Sequence, residues 1–171
     1  MRSYYDKRPA VSDPGLQTSA ALDETGWRLL AALQDDPRAS WRALARAVGL
    51  STPAVAERMR RLEAGGVIAG FRVVLDAARL GRPLQAFLRL AAQAGAHQRV
   101  TDLCRTLPAV RECHHLSGDD GYLIRLAVAD VAELEDVIAR FRLVGQASTS
   151  LILSSPVETK PLAPPGKLTR S

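Results

Sequence analysis

From Ser40 to Gly66 the chain reads "SWRALARAVGLSTPAVAERMRRLEAGG", two short helical periods broken by a glycine-containing turn. In the first, Leu44 and Val48 stand one turn apart, Ser40 is placed to accept an orphan amide of the first turn, and Gly49 stops the run. In the second, Ser51 can cap, Pro53 is tolerated in the first turn, Val55, Met59 and Leu62 form an apolar stripe, and Gly65 and Gly66 end it. Helices this short are unstable alone and must bury their stripes against each other and a third element. Upstream, "ETGWRLLAALQ" supplies that element: Asp23 precedes it, Trp27, Leu30 and Leu33 recur at helical spacing beside Leu29, and "DDP" closes it. Three helices, the last two joined by a tight turn, predict a helix-turn-helix.

The second period has an outward face with a definite chemistry. With Val55, Met59 and Leu62 inward and a step of about 100° per residue, Pro53, Glu57, Arg60 and Arg61 point away, with Ala54 and Ala56 beside them. Such a face suits a major groove. Arg60 can fork onto guanine, Glu57 can accept from a cytosine amine, and the Ala56 methyl can meet a thymine methyl. Ser51, Thr52 and Arg58 are placed for phosphates. Charge agrees with this reading: nine arginines face three acids between Pro37 and Arg82, whereas eight basic residues face nine acidic ones between Pro83 and Lys160. A concentrated arginine field suits a polyanion, because each phosphate contact releases counterions.

The 171 residues, 47% hydrophobic and 24% charged, suffice for one domain or two small ones. Residues 1–21 show no sustained period and predict a flexible arm; 22–82 form the DNA-binding domain, in which "VIAGFRVVL" predicts a strand around Phe71 to Leu75 that makes it winged. From 83 to 160 the pattern changes. "PLQAFLRLAA", "AVRECHHLS", "YLIRLAVA" and "GQASTSLILS" are strand-like, and two helical faces alternate with them, one of Val100, Leu103, Cys104 and Leu107, the other of Leu134, Val137, Ile138 and Phe141. In "GDDG", Asp120 and Gly121 give a strong two-residue turn signal between the second and third strands. The order βαββαβ predicts a ferredoxin-like antiparallel sheet with both helices on one face, so the fold class is α+β; residues 161–171 form a tail.

A sheet covered on one side should be polar on the other. Phe87, Leu88 and Leu90, and Tyr122, Leu123, Ile124 and Leu126, put apolar side chains on both sides of the alternation. Burial against a second copy accounts for this and predicts a dimer through the second domain, with an aspartate at Leu88 or Leu90 as its probe.

Other chemistry is thinly represented. Cys104 and Cys113 read as free thiols in a reducing compartment. Of Cys113, His114 and His115, strand alternation lets only Cys113 and His115 share a metal, and no further ligand cluster accompanies them. No nucleophile-base-acid arrangement, phosphate-cradling loop or paired-carboxylate spacing stands out, so neither a cofactor nor a metal is expected. No stretch approaches the roughly 18 apolar residues of a membrane span, and the N-terminus lacks the apolar centre of a signal peptide; a cytoplasmic protein is expected, with no membrane partner.

The strings "LDETGWRLL", "DDPRASWRALARAVGLSTPAVAERMRRLEAGGVIAGF", "LDAARLG" and "VRECHHLSGDDGYLI" resemble the leucine-responsive and asparagine-synthase regulators, the Lrp/AsnC family, over Leu22 to about Leu162. The resemblance implies a transcriptional regulator that binds double-stranded DNA through its first domain and senses a ligand through its second. It implies dimers, which in such regulators often build tetramers or octamers. It also implies an amino acid or related effector held near the turn that matches Ser117, Gly118, Asp119, Asp120, Gly121 and Tyr122. Here the sequence departs from the pattern: an aspartate usually precedes the aromatic residue, and Gly121 stands in its place. Either Asp120 takes the ammonium contact from one position earlier or the effector is not an ordinary amino acid. An enzymatic alternative also rests on resemblance, since certain haem-pathway decarboxylases share this two-domain build and use histidines on a tetrapyrrole, for which His97, His114 and His115 are the candidates.

Overall fold

The computed structural model describes residues 22–118 and 121–164, so the arm expected at residues 1–21 lies outside them. The chain divides into two compact units, one made of the chain up to Val73 together with Thr159 onward, the other of Val74–Glu158.

The first unit holds α1 (Glu24–Asp35), α2 (Trp41–Val48) and α3 (Thr52–Ala64). Each starts at a side-chain cap: Asp23 accepts from the Gly26 amide at 2.7 Å, Ser40 from Ala43 at 3.2 Å, and Ser51 from Ala54 at 3.4 Å. Between α2 and α3, Gly49 adopts φ +73°, the left-handed conformation that lets the chain reverse in so few residues. The core comprises Leu29 and Leu33 of α1, Leu44, Ala45 and Val48 of α2, and Val55, Met59 and Leu62 of α3. In α1 the seam is Gly26, Leu29 and Leu33, with Trp27 and Leu30 only half-buried. The strand expected around Phe71 to Leu75 is not formed. No other described segment pairs with it, so an extended backbone there would leave its amides to water, and Phe71, Val73, Val74 and Leu75 remain exposed.

The second unit holds β1 (Leu84–Ala92), α4 (His97–Thr106), β2 (Val110–His115), β3 (Tyr122–Val128), α5 (Val131–Arg142) and β4 (Gly145–Leu151). The sheet order is β2-β3-β1-β4 and every pair is antiparallel, the ferredoxin-like arrangement. Alternate residues Ala86, Leu88 and Leu90 of β1 and Tyr122, Ile124, Leu126 and Val128 of β3 turn to the helices and pack with Val100, Leu134, Val137 and Phe141. The opposite, outer face carries Phe87, Arg89, Leu123 and Arg125 of these strands, with Glu112 and His114 of β2 aligned beside Arg125 and Leu123. This corrects the choice of probes: Leu88 and Leu90 are both fully buried in the unit's own core, because residues two apart on a strand share a face. Phe87 and Leu123 are large apolar side chains on the outer face.

Candidate nucleic-acid interface and effector hairpin

Helix α3 buries Val55, Met59 and Leu62 and leaves Thr52, Pro53, Glu57, Arg60 and Arg61 exposed, with Ala56 half-buried between them. Ser51 is committed to the cap but remains exposed. Glu57 pairs with Arg60 one turn on and lies 3.9 Å from Arg61, so acid and bases form one charged patch. Both arginine side chains remain about 70% exposed, at 70% and 68%, and can exchange a helix neighbour for an external acceptor.

Arg58 is different. Its guanidinium forks onto Asp23, with Nη1 at 2.7 Å from Oδ1 and Nη2 at 2.8 Å from Oδ2. Asp23 is also the cap of α1, so one carboxylate ties the start of α1 to the middle of α3. The Arg58 hydrogen bonds, then the Gly26 amide, hold the Asp23 carboxyl below its ordinary range, and the same bonds hold the guanidinium charged. Nothing in the spacing of residues 35 positions apart announces this pair. Arg28 adds a second tie, donating to the Ala47 carbonyl at 2.9 Å.

The hairpin between β2 and β3 is longer than a two-residue turn. The Leu116 amide donates to the Gly121 carbonyl at 2.8 Å, and the ladder resumes at His115 and Tyr122. Gly121 sits at φ +61°, where a Cβ would stand 3.1 Å from the Leu90 carbonyl oxygen. That geometry favours glycine over a side-chain-bearing residue. Asp119 and Asp120 lie outside the described residues; Ser117 and Gly118 are exposed, and Gly121 is half-buried.

Tyr122 turns into the core face, only 6% exposed, and its hydroxyl lies 2.6 Å from His97 Nδ1 at the start of α4. Burial pushes the phenol above its ordinary range. The His115 ring lies tilted against Tyr122 at 4.8 Å between centroids and meets His97 edge-on at 5.4 Å. Sequence reasoning noted both histidines but not this cluster; its signal was the placement of His115 and Tyr122 on the two strands flanking one turn. His114 is on the outer face, 3.5 Å from Glu112, so the three histidines do not converge. Cys113 meets the Cys104 thiol across α4 and β2, both free; the hydrogen bond between them raises Cys104 and lowers Cys113. Among the described residues no group of three or more His, Cys, Asp or Glu is placed to hold a metal ion.

Comparison with known proteins agrees with this architecture. Residues 22–63 match the AsnC-type helix-turn-helix domain, and residues 85–162 match the Lrp/AsnC ligand binding domain. The Bkd operon transcriptional regulator of Pseudomonas aeruginosa is 36% identical over 120 residues, 66% of this chain and 76% of that protein. The transcriptional regulator LrpC of Bacillus subtilis is 29% identical over 139 residues, 81% of this chain and 96% of its own length; its solved structure superposes with a TM-score of 0.76 over 81% of this chain and 99% of that one. A transcriptional regulator of Neisseria meningitidis, solved as an L-Met complex, is 26% identical and superposes with a TM-score of 0.77 over 83% of this chain and 96% of that one. Nothing in these matches favours a tetrapyrrole decarboxylase. With a capped, arginine-faced third helix in one unit and a ferredoxin-like ligand-binding domain in the other, the chain belongs to the Lrp/AsnC family and is a DNA-binding transcriptional regulator.

Proposed function

We propose that α3 reads base edges of double-stranded DNA through Arg60, Glu57 and Ala56, while Arg61, Thr52 and the exposed start of the helix around Ser51 and Pro53 contact the backbone. The observation that carries this reading is the exposure of Arg60 and Arg61 on a helix whose other face is wholly buried. Arg58 is assigned to Asp23 rather than to phosphate. Two copies associate through the outer face of the sheet, where Phe87 and Leu123 lie, and present two readers to a pseudo-palindromic site whose half-sites are about one helical turn apart or a multiple of it. Higher assemblies of such dimers are compatible with a patch confined to one face. The protein acts in the cytoplasm; among the described residues no helix is long and apolar enough to cross a membrane.

The effector is an amino acid or a related small molecule, held at the hairpin from Ser117 to Tyr122. The L-Met complex of the Neisseria relative supports that class. With Gly121 carrying no side chain, Asp120 is the carboxylate for a ligand ammonium group.

Fluorescence anisotropy on a labelled operator tests the reader. Arg60→Ala with Arg61→Ala should abolish preference for the operator over random duplex, while circular dichroism stays that of the unaltered protein. Retained affinity and preference in that double variant refute the assignment of α3.

A further inference from the structure

A cleft of about 520 Å³ lies between the segment preceding β1 and the outer face of the sheet. Its volume is in the range of small-molecule sites, roughly 300–1,000 Å³. Three arginines line it, Arg82, Arg111 and Arg125, together with the amide of Gln85.

The three guanidinium groups are not equally engaged. Arg82 is fixed by the Ala127 carbonyl and Glu133 carboxylate, each at 3.0 Å. Arg125 Nε is buried without a hydrogen-bond partner; the Glu112 carboxylate is 3.5 Å away but not aligned to accept from it. Arg111 stands where the β2–β3 ladder slips by one residue between Val110 and Glu112, and it makes no hydrogen bond or ion pair among the described residues. A bulge of this kind frees a side chain from the ladder and re-aims it.

Two of these arginines have acidic partners, Glu133 for Arg82 and Glu112 for Arg125, and Arg111 is the one lining arginine without an ion pair among the described residues. Asp76 is occupied by Arg79 at 3.2 Å and by the Ala78 and Arg79 amides at 3.0 and 3.3 Å. Glu158 is the other lining acid. Leu75 and Leu80 add apolar wall, each about 60% exposed, at 60% and 62%. A buried N–H without an acceptor is unfavourable, and guanidinium forks match carboxylates in shape and charge. The apolar wall asks in addition for a carbon skeleton.

We propose that this cleft is a second ligand site, separate from the effector hairpin, and that it binds a small organic dicarboxylate between Arg111 and Arg125. Gln85 donates to the same ligand, and Leu75 and Leu80 cover its methylene carbons.

Calorimetry and thermal unfolding of the full chain with succinate, malate and glutarate test the site, with sulfate at matched ionic strength and propionate as controls. At least one dicarboxylate should bind saturably and raise Tm, and both controls should bind more weakly. Arg111→Gln, an exposed change that leaves the unliganded Tm in place, should weaken binding by about tenfold or more, the loss of a charge-assisted hydrogen-bonded pair. Dicarboxylate binding unaltered by Arg111→Gln overturns the proposal, and so does an equal response to sulfate, an equal response to propionate, or no saturable binding of any of the three acids. If Arg111→Gln changes the mass in sedimentation while dicarboxylate affinity stays the same, Arg111 is a contact between copies and the proposal fails.

Discussion

Arg58 and Asp23, separated by 35 positions in the chain, meet through two hydrogen bonds of 2.7 and 2.8 Å, and the same aspartate accepts the Gly26 amide at the start of α1. Cap and ion pair therefore share one carboxylate. Asp23→Asn keeps a cap-competent oxygen and loses the charge, so it should lower Tm less than Asp23→Ala, which loses both. Thermal unfolding followed by circular dichroism gives the order; equal shifts would mean that the pair, not the cap, is the whole effect.

The same carboxylate sets a pH dependence. Its folded-state pKa is depressed by Arg58, so its contribution to stability is present above the unfolded carboxylate value and is lost as pH falls through the folded one. As pH falls below the ordinary carboxylate value of 3.8, the unaltered protein should lose stability that Asp23→Asn does not lose. Parallel denaturant titrations at stepped pH, comparing the two proteins, check the difference.

Because Arg58 is tied to the cap of another helix whereas Arg60 pairs with Glu57 on its own exposed face, their alanine variants should separate cleanly. Arg60→Ala should cost about 1–3 kcal/mol of discrimination at one base position. Arg58→Ala should lower Tm while leaving the salt dependence of DNA binding unchanged, since no phosphate contact goes with it. A slope for Arg58→Ala that falls by about one would return that side chain to the DNA backbone.

The two faces of β1 and β3 should respond differently to one substitution. Leu88→Asp places a charge in the fully buried core and should unfold the second unit, at a cost of several kcal/mol. Leu123→Asp, on the outer face, should keep the circular dichroism spectrum and lower the mass measured by sedimentation. A folded monomer from Leu88→Asp would contradict the facing described above.

At the hairpin, Gly121→Ala must hold φ +61° with its methyl 3.1 Å from the Leu90 carbonyl. A left-handed non-glycine residue costs about 1–2 kcal/mol, so chemical denaturation should show a loss of at least that size. A neutral result would mean that the hairpin rearranges around the methyl group.

How far the chain could be read depended on the range of the interactions involved. The three helices of the first unit followed from Ser40, Gly49, Ser51 and the stripe of Val55, Met59 and Leu62, all of which act within a turn or two. The strands and helices of the second unit were legible for the same reason, since period and turn chemistry are local. Trp27 and Leu30 looked like the seam of α1, but the burying surface is made by α2 and α3 and selects Leu29. Phe71 to Leu75 has strand-like composition and no described partner, and a strand is defined by its partner. The common face of Leu88 and Leu90 was available from alternation alone. The Arg58–Asp23 fork and the His97, His115 and Tyr122 cluster were not, because each joins elements distant in sequence. At the hairpin, the glycine was legible as a turn residue, but its close approach to Leu90 depends on β1.

The side-chain amide of Gln34 in α1 donates to the Leu162 carbonyl at 2.9 Å and accepts from the Leu162 amide at 2.7 Å, a clasp between residues 128 positions apart. During synthesis the helical unit therefore emerges first and receives one of its contacts last. Closing so long a loop in a disordered chain would carry a large entropic penalty. The second unit removes most of it, because Val74 and Glu158, its first and last residues, line the same cleft. Once the sheet has formed, the segment that carries Leu162 is tethered a few residues from where the earlier strand of chain departs. The clasp therefore closes most cheaply once the sheet is in place, and a lesion that unfolds the sheet should weaken it although neither Gln34 nor Leu162 is touched.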